Sequence, residues 1–483
     1  ITRTVTINGG TSGGRVEIAG TDDGLIEYGL RFSNGNSIVS GLAINRFKEA
    51  GISFEGDGNI LYETYVGTDI TGTVALGTHE NAGVLLYGSH NIITRCVLSG
   101  NLGAGAREVL YGVSINNTFS ENYVGLDASG EFSLGNEYEG IEVKGYQSLI
   151  TRNYFAGIDG DEDALENGEV ALAVDLKMGG GHTVSDNIIG TDITHTKAFG
   201  NMIGIAVLGG TGSVIERNII KNSILVGIVV AAVDFLNPLN QLANEHIFRE
   251  NFIGYSQSDT TNISYGVVLV GKGTIDNSFV SNEIANNNLG GISTYSRGGF
   301  GPPSDAMITF DFRSDYRYGP FVLGPAGPGN SFVQNSIHGN GWLLNPLEGL
   351  GINLTTAKDP ALEPELSTPN DIGDADEGPN DLQNFPILIE ANRAGNSYRI
   401  KATFNSLPRQ KFQLEFFRNT NNESQGEIPL KTKRIRTNIV GDKAFKVLLK
   451  GVVPGDVITA TATLIKDKKH SSTSAFSNGL MLP

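Results

Sequence analysis

Short apolar runs rich in Val, Ile, Phe and Tyr recur along this chain, broken by Gly, Asn and Asp, with no helical 3.6-residue period of useful length between them. Strands and turns are the predicted elements. The runs repeat. The pattern apolar-x-x-Asn-x-apolar occurs as FSENYV, ITRNYF, VSDNII, IERNII, FRENFI, FVSNEI and FVQNSI. It places Asn122, Asn153, Asn187, Asn218, Asn251, Asn282 and Asn335 in one column, at steps of 31, 34, 31, 33, 31 and 53 residues. Two earlier copies, LYETYV and ITRCVL, put Thr64 and Cys96 in that column. Fixed-period self-similarity marks a solenoid. A unit of this length made of three short strands and turns is one coil of a parallel β-helix, and coils stack about 4.8 Å apart. Like residues then lie on like. The asparagines are expected to form an internal ladder in which each amide bonds to the next turn, which removes the cost of burying them.

A second phrase repeats as well. VGTDITGTVALGTHENAGVLL (Val66 to Leu86) returns as VGLDASGEFSLGNEYEGIEV and IGTDITHTKAFGNMIGIAV. It aligns Asp69, Asp127, Asp159 and Asp192, the last three in consecutive coils by the asparagine count. Two readings stay open. Each aspartate could cap its own turn through a side-chain to backbone bond. Alternatively the stacked carboxylates could share a hard cation such as Ca²⁺, since like charges one strand spacing apart repel.

The copy that departs from the phrase, GIDGDEDALENGEV (Gly157 to Val170), carries Asp159, Asp161, Glu162, Asp163, Glu166 and Glu169. Asp161 and Asp163 join the aspartate column as candidate metal ligands, without the EF-hand spacing. Nearby in sequence are Glu137, Glu139, Glu142 and Lys144 on the preceding coil and Asp175, Lys177 and His182 on the following strand. Carboxylates beside a lysine suit a calcium-assisted polysaccharide lyase, in which lysine takes the proton next to a uronate. Glu142, Lys144, Asp175 and Lys177 are therefore the catalytic candidates, against the alternative that all are solvated surface charge. A pair of carboxylates could instead hydrolyse a glycosidic bond.

Two insertions interrupt the period: Ala231 to His246, and Ser296 to Gly329, which explains the 53-residue step. The second holds Phe310, Phe312, Arg313, Tyr316, Arg317 and Tyr318. Aromatic faces and arginines suit a glycan site or a subunit interface, and a self-packed loop is the alternative.

Composition narrows the function classes. Glycine accounts for 64 of 483 residues without a G-X-Y period, in keeping with many turns. The net charge of −17 is uneven: 16 Lys and Arg face 8 Asp and Glu from Asn380 onward, and 19 face 44 before it. An acidic body of this kind repels phosphate, so nucleic acid is not an expected partner. No apolar run is long enough to span a membrane as a helix. A single cysteine excludes an intrachain disulfide. No Ser-His-Asp order, CxxC, HExxH or phosphate loop is visible, and the seven histidines have no metal-ligand spacing.

The phrases GTDITGTVALG and GLAINRF and the repeated N-x-I-G units resemble bacterial secreted or cell-surface proteins with a right-handed parallel β-helix of the pectate-lyase-like kind. GDADEGPNDLQNFPIL resembles the junction those proteins place before a C-terminal β-sandwich. The resemblance implies an all-β chain: a right-handed parallel β-helix of about ten coils over residues 1–361, a linker over 362–380 and an antiparallel Ig-like sandwich over 381–483. It also implies an extracellular or cell-surface setting. It carries no catalytic motif. In such proteins a further segment precedes a phrase like ITRTVTINGG and caps the first coil, whereas Ile1 stands inside that phrase. The cap is then cleaved, omitted or supplied by a neighbouring copy. Two functional classes follow, with a third behind them. One is a structural surface protein that assembles with copies of itself. The next is a polysaccharide lyase or glycoside hydrolase acting on an acidic glycan. The last is an adhesin or glycan-binding module.

Overall fold

The structure, a computed structural model, describes residues 1–10, 14–22, 24–109, 114–158, 160, 171–232, 242–254, 265–294, 326–341, 351–354, 368–420 and 423–483. The fold is all-β; among the described residues the one helical element is a 3-10 turn, Pro379–Leu382. Among the described residues the strand order places eleven strands in each of three parallel sheets, and each coil contributes one strand to each sheet. Antiparallel sheets follow at the C-terminal end. The chain divides into two compact units, Ile1–Ile228 and the described residues from Val229 on.

In the first unit a coil is typified by Thr118–Ser120, Tyr123–Val124 and Glu139–Val143. The next coil, Leu149–Thr151, Tyr154–Phe155 and Leu172–Lys177, pairs with it strand for strand in parallel. Register is set by which side chains face inward, because a one-residue slip would turn every apolar residue out. Ile93, Phe119, Ile150, Val184 and Ile215 stack inside the first sheet, and Val66, Leu98, Val124, Phe155 and Ile189 inside the second. All are fully buried, and each contributes about 1.5–3 kcal/mol relative to exposure.

The asparagine column is an internal ladder. Asn153 donates from its side-chain amide to Asn187 Oδ1 and to the Phe119 carbonyl, both at 3.0 Å, while its own Oδ1 accepts from the Asn122 backbone N–H at 2.9 Å. Asn187 passes the same bond to Asn218 at 2.9 Å. Cys96 stands in the column as expected; its N–H donates to Asn122 Oδ1, and burial pushes its thiol up to about 12. A ladder at another corner escaped sequence reading. Asn59, Asn91 and Asn117 form it, each taking the N–H of the coil before, and further along His182 takes the Ser148 N–H and Ser213 the His182 N–H. His182 is thus a buried acceptor in a turn, lowered to about 4 by burial.

In the second unit the column recurs as Asn251, Asn282 and Asn335. Two antiparallel sheets enclose a core that includes Tyr398, Ile400, Phe404, Phe412, Phe416 and Phe445. Its side chains also finish the ladders of the last coil. Asn380 Oδ1 accepts the Asn330 N–H, Gln425 Oε1 accepts from Asn340, and Glu415 accepts the Gln334 N–H at 2.8 Å. Backbone groups that a further coil would have bonded are satisfied in this way.

Candidate functional site

The four catalytic candidates do meet. Arg107, Glu142 and Asp175 are register partners on neighbouring strands of the third sheet, pointing away from the inward stack of Ala106, Ile141 and Val174. Lys144 and Lys177 lie two residues further along the same strand faces. Lys177 Nζ sits 2.8 Å from Glu142, 3.1 Å from Asp175 and 3.7 Å from Glu139. Arg107 pairs with Glu139 at 2.8 Å and also with Glu142, and Lys144 reaches Glu142 at 3.1 Å. Three cations thus face three carboxylates. The side chains of Glu142 and Asp175 are 0% exposed and that of Lys177 4%.

Burial pushes Asp175 up to about 7, against the pull of Lys177 and with help from Glu142 and Glu139. The same burial acts on Glu142, but Lys177, Arg107 and Lys144 outweigh it and hold that carboxyl well below the usual range. Glu139, Glu142 and Asp175 offer oxygens within 4.8 Å of one another, the spacing of a metal site. The Lys177 ammonium, within 3.7 Å of all three, already supplies the cation there. The arrangement is a lock between three strands, charge-neutral when Asp175 is ionised, and its acid and base groups are spent on each other.

The aspartate phrase forms loops between the second and third strands of a coil. Asp127 accepts from Ser129 Oγ at 2.7 Å and from the N–H groups of Glu131 and Phe132. Asp69 does the same with Thr71, Thr73 and Val74, and Asp192 with Thr194, Thr196 and Lys197. Burial would raise Asp192, but these donors outweigh it and lower the carboxyl to about 2. The described members of the column, Asp69, Asp127 and Asp192, therefore cap their own turns. Asp159, Asp161 and Asp163 lie outside the described residues, as do Phe310, Phe312, Arg313, Tyr316, Arg317 and Tyr318. A second acidic trio, Asp371, Asp374 and Asp376, sits in the junction. There Asp374 accepts from the Asn384 N–H and Ser406 Oγ, and Asp371 from the Ala375 N–H.

The site that sequence reading missed lies on the outer face of the second sheet. Tyr65, Val97, Tyr123, Tyr154 and Ile188 form one outward row in strict register. Beside the row runs the turn residue that precedes each ladder position: Glu63, Arg95, Glu121, Arg152, Asp186 and Arg217. All six hold positive φ, between 48° and 58°. Each of the first five donates its N–H to the next coil, as Arg95 does to the Ser120 carbonyl. Their charges alternate in sign along the stack. Ion pairs join Arg95 to Glu63 at 3.5 Å, Arg152 to Glu121 at 3.0 Å and Arg217 to Asp186 at 2.8 Å. On the other side of the row stand the aspartate-capped loops. Gly72 lies against Tyr65 and Ala128, and Gly130 against Tyr123 and Ile193; a Cβ on Gly130 would come within 2.4 Å of Ile193.

Between these walls is a groove of about 390 Å³ lined by Arg15, Arg95, Glu121, Arg152 and the three tyrosines, with Val97 and Ala128. The Arg15 guanidinium lies 3.6 Å over the Tyr65 ring, and the Tyr123 and Tyr154 rings meet edge to face at 5.7 Å. The groove thus presents three arginines and one carboxylate beside aromatic faces, on a body that is otherwise strongly acidic. The signal for it stood in the quoted repeats. In LYETYV, ITRCVL, FSENYV and ITRNYF the residue before the ladder position reads E, R, E, R, and tyrosine follows it in three of the four.

No family model matches the chain, and no curated protein matches it. Among solved structures it is similar to the enzymatically active domain of tailspike protein 2 of bacteriophage CBA120, at 10% identity over 99% of this chain and 76% of that one, with a TM-score of 0.35. It is also similar to the PL6 family polysaccharide lyase Pedsa3628 from Pseudopedobacter saltans, at 14% identity over 78% of this chain and 89% of that one, TM-score 0.32. A third is tailspike gp49 of Acinetobacter baumannii bacteriophage Fri1, a capsular polysaccharide depolymerase, at 9% identity over 99% and 86%, TM-score 0.31. At these values the likeness does not bear on function, and the parallel β-helix stands on strand order and register.

Proposed function

We propose that the chain is a glycan-binding parallel β-helix protein whose ligand, an acidic polysaccharide, lies in the groove over the second sheet. The observation that carries this reading is the convergence of Tyr65, Tyr123 and Tyr154 with Arg15, Arg95 and Arg152 in one groove. Tyrosine faces supply rigid apolar area with a polar tip for sugar rings, and guanidinium groups hold carboxylates by paired hydrogen bonds. Binding is favoured over hydrolysis because Glu121 is the single carboxylate among the lining residues, while glycosidic hydrolysis uses a pair. An extracellular or cell-surface setting accompanies this reading, since polysaccharide is met there.

Affinity electrophoresis through gels carrying acidic or neutral polysaccharides tests it. Retardation by at least one acidic polysaccharide is expected, and Tyr123→Ala with Tyr154→Ala should abolish it while the far-ultraviolet spectrum stays unchanged. Equal retardation of wild type and the double variant would overturn the assignment of the groove. Self-assembly, the other expectation from the sequence, is tested separately by electron microscopy: filaments or sheets would support it, and a monodisperse monomer under all conditions would end it.

A further inference from the structure

We infer that the glycan is linear, runs across the coils in the direction of stacking, and carries a carboxylate on every second sugar. This rests on the glycan-binding reading and deepens it. The groove spans the coils of Tyr65, Val97, Tyr123 and Tyr154, which are successive register partners. A ligand filling it therefore crosses one coil after another. Successive coils are about 4.8 Å apart, close to the length of one pyranose ring in an extended chain, so each coil meets one sugar.

The charges are not uniform along this path. Arg95 and Arg152 belong to coils two steps apart, about 9.6 Å by strand spacing, and Glu121 belongs to the coil between them. A sugar over the Glu121 coil meets a carboxylate, which accepts hydroxyl donors and repels another carboxylate. Sugars over the flanking coils meet guanidinium groups, which take a carboxylate. Aromatic support is offset to match: Tyr123 lies under the middle sugar and Tyr154 under the outer one, while Val97 leaves room beside Arg95. A glycan with a uronate at every position would set one carboxylate against Glu121. A neutral glycan would leave both arginines without an anionic partner from the ligand.

Titration calorimetry with three oligosaccharides of equal length tests this. A hyaluronan octasaccharide carries uronate on alternate sugars, an oligogalacturonate carries it on every sugar, and a chito-oligosaccharide carries none. The alternating chain should bind at least about tenfold more tightly than either of the others. In Glu121→Gln the preference for the alternating chain over the oligogalacturonate should fall by about fivefold or more. Loss of the Arg152 ion pair in that variant is a small perturbation because both side chains are largely exposed. Equal or tighter binding of oligogalacturonate to wild type, or an unchanged ratio in Glu121→Gln, would overturn the alternation and leave glycan binding standing. Binding of none of the three would overturn the alternation, and failure of the wider polysaccharide panel as well would overturn the binding reading with it.

Discussion

Replacing Lys177 by methionine removes the cation that three buried carboxylates share and keeps much of the side-chain volume. The distances of 2.8, 3.1 and 3.7 Å to Glu142, Asp175 and Glu139 make Lys177 the common partner. Breaking a buried pair by deleting one member costs about 3–5 kcal/mol, because the remaining charge is left without its partner. With a urea dependence of about 2–3 kcal/mol/M the unfolding midpoint should fall by about 1–2 M at pH 8. The loss should be smaller at pH 5. Asp175 has a folded pKa of about 7, above its ordinary 3.8. A carboxyl raised in this way binds a proton in the folded state that the unfolded state releases. Its stabilising contribution is thus complete below about pH 4 and fades as pH rises through about 7. At pH 5 Asp175 carries its proton with or without Lys177, so removing the cation then strands fewer negative charges than at pH 8. The double variant Lys177→Met with Asp175→Asn should recover at least half of the pH 8 loss. Urea unfolding followed by circular dichroism at both pH values is the assay. A midpoint shift below about 0.3 M at pH 8, or equal shifts at both pH values, would refute the reasoning.

Asn153→Ala deprives the Asn122 N–H and side-chain amide of their acceptor and should cost about 2–4 kcal/mol, read as a lower urea midpoint. Gln425→Ala removes the side chain that bonds Asn340 through its N–H, amide and carbonyl, and should cost about 1–3 kcal/mol, again read from the urea midpoint. Gly130→Ala places a Cβ at a backbone with φ of 73° and 2.4 Å from Ile193. It should shift the loop beside Tyr123, cost about 1–2 kcal/mol and weaken retardation on acidic polysaccharide gels.

The coil architecture was legible because stacking demands the same residue in the same place, and within the column each asparagine amide reaches both a neighbouring backbone group and the next side chain. Where different residues do the same work, the repeat fades from view. At one corner Asn91 and Asn117 take a neighbouring N–H through Oδ1, but His182 does so through Nδ1 and Ser213 through Oγ, so the identity column breaks off after Asn117. Glu142, Lys144, Asp175 and Lys177 were visible as charges inside apolar strands. Their mutual neutralisation was not, since it depends on cross-coil register through loops of unequal length, and Arg107 entered only with the strand pairing. Glu108 was missed for a similar reason: it points inward, where Asn117, Ser148 and the N–H groups of Lys144 and Gly145 donate to it. The groove was hidden because its two walls come from columns on either side of the ladder. The repeated aspartate phrase, read alone as turn or cation site, turns out to build one of those walls.

A crystal structure with a bound acidic oligosaccharide tests the central claim most directly. The account predicts sugar rings over Tyr123 and Tyr154, with carboxylates at Arg95 and Arg152 and a hydroxyl at Glu121. A glycan seated elsewhere on the chain, with these side chains untouched, would contradict it.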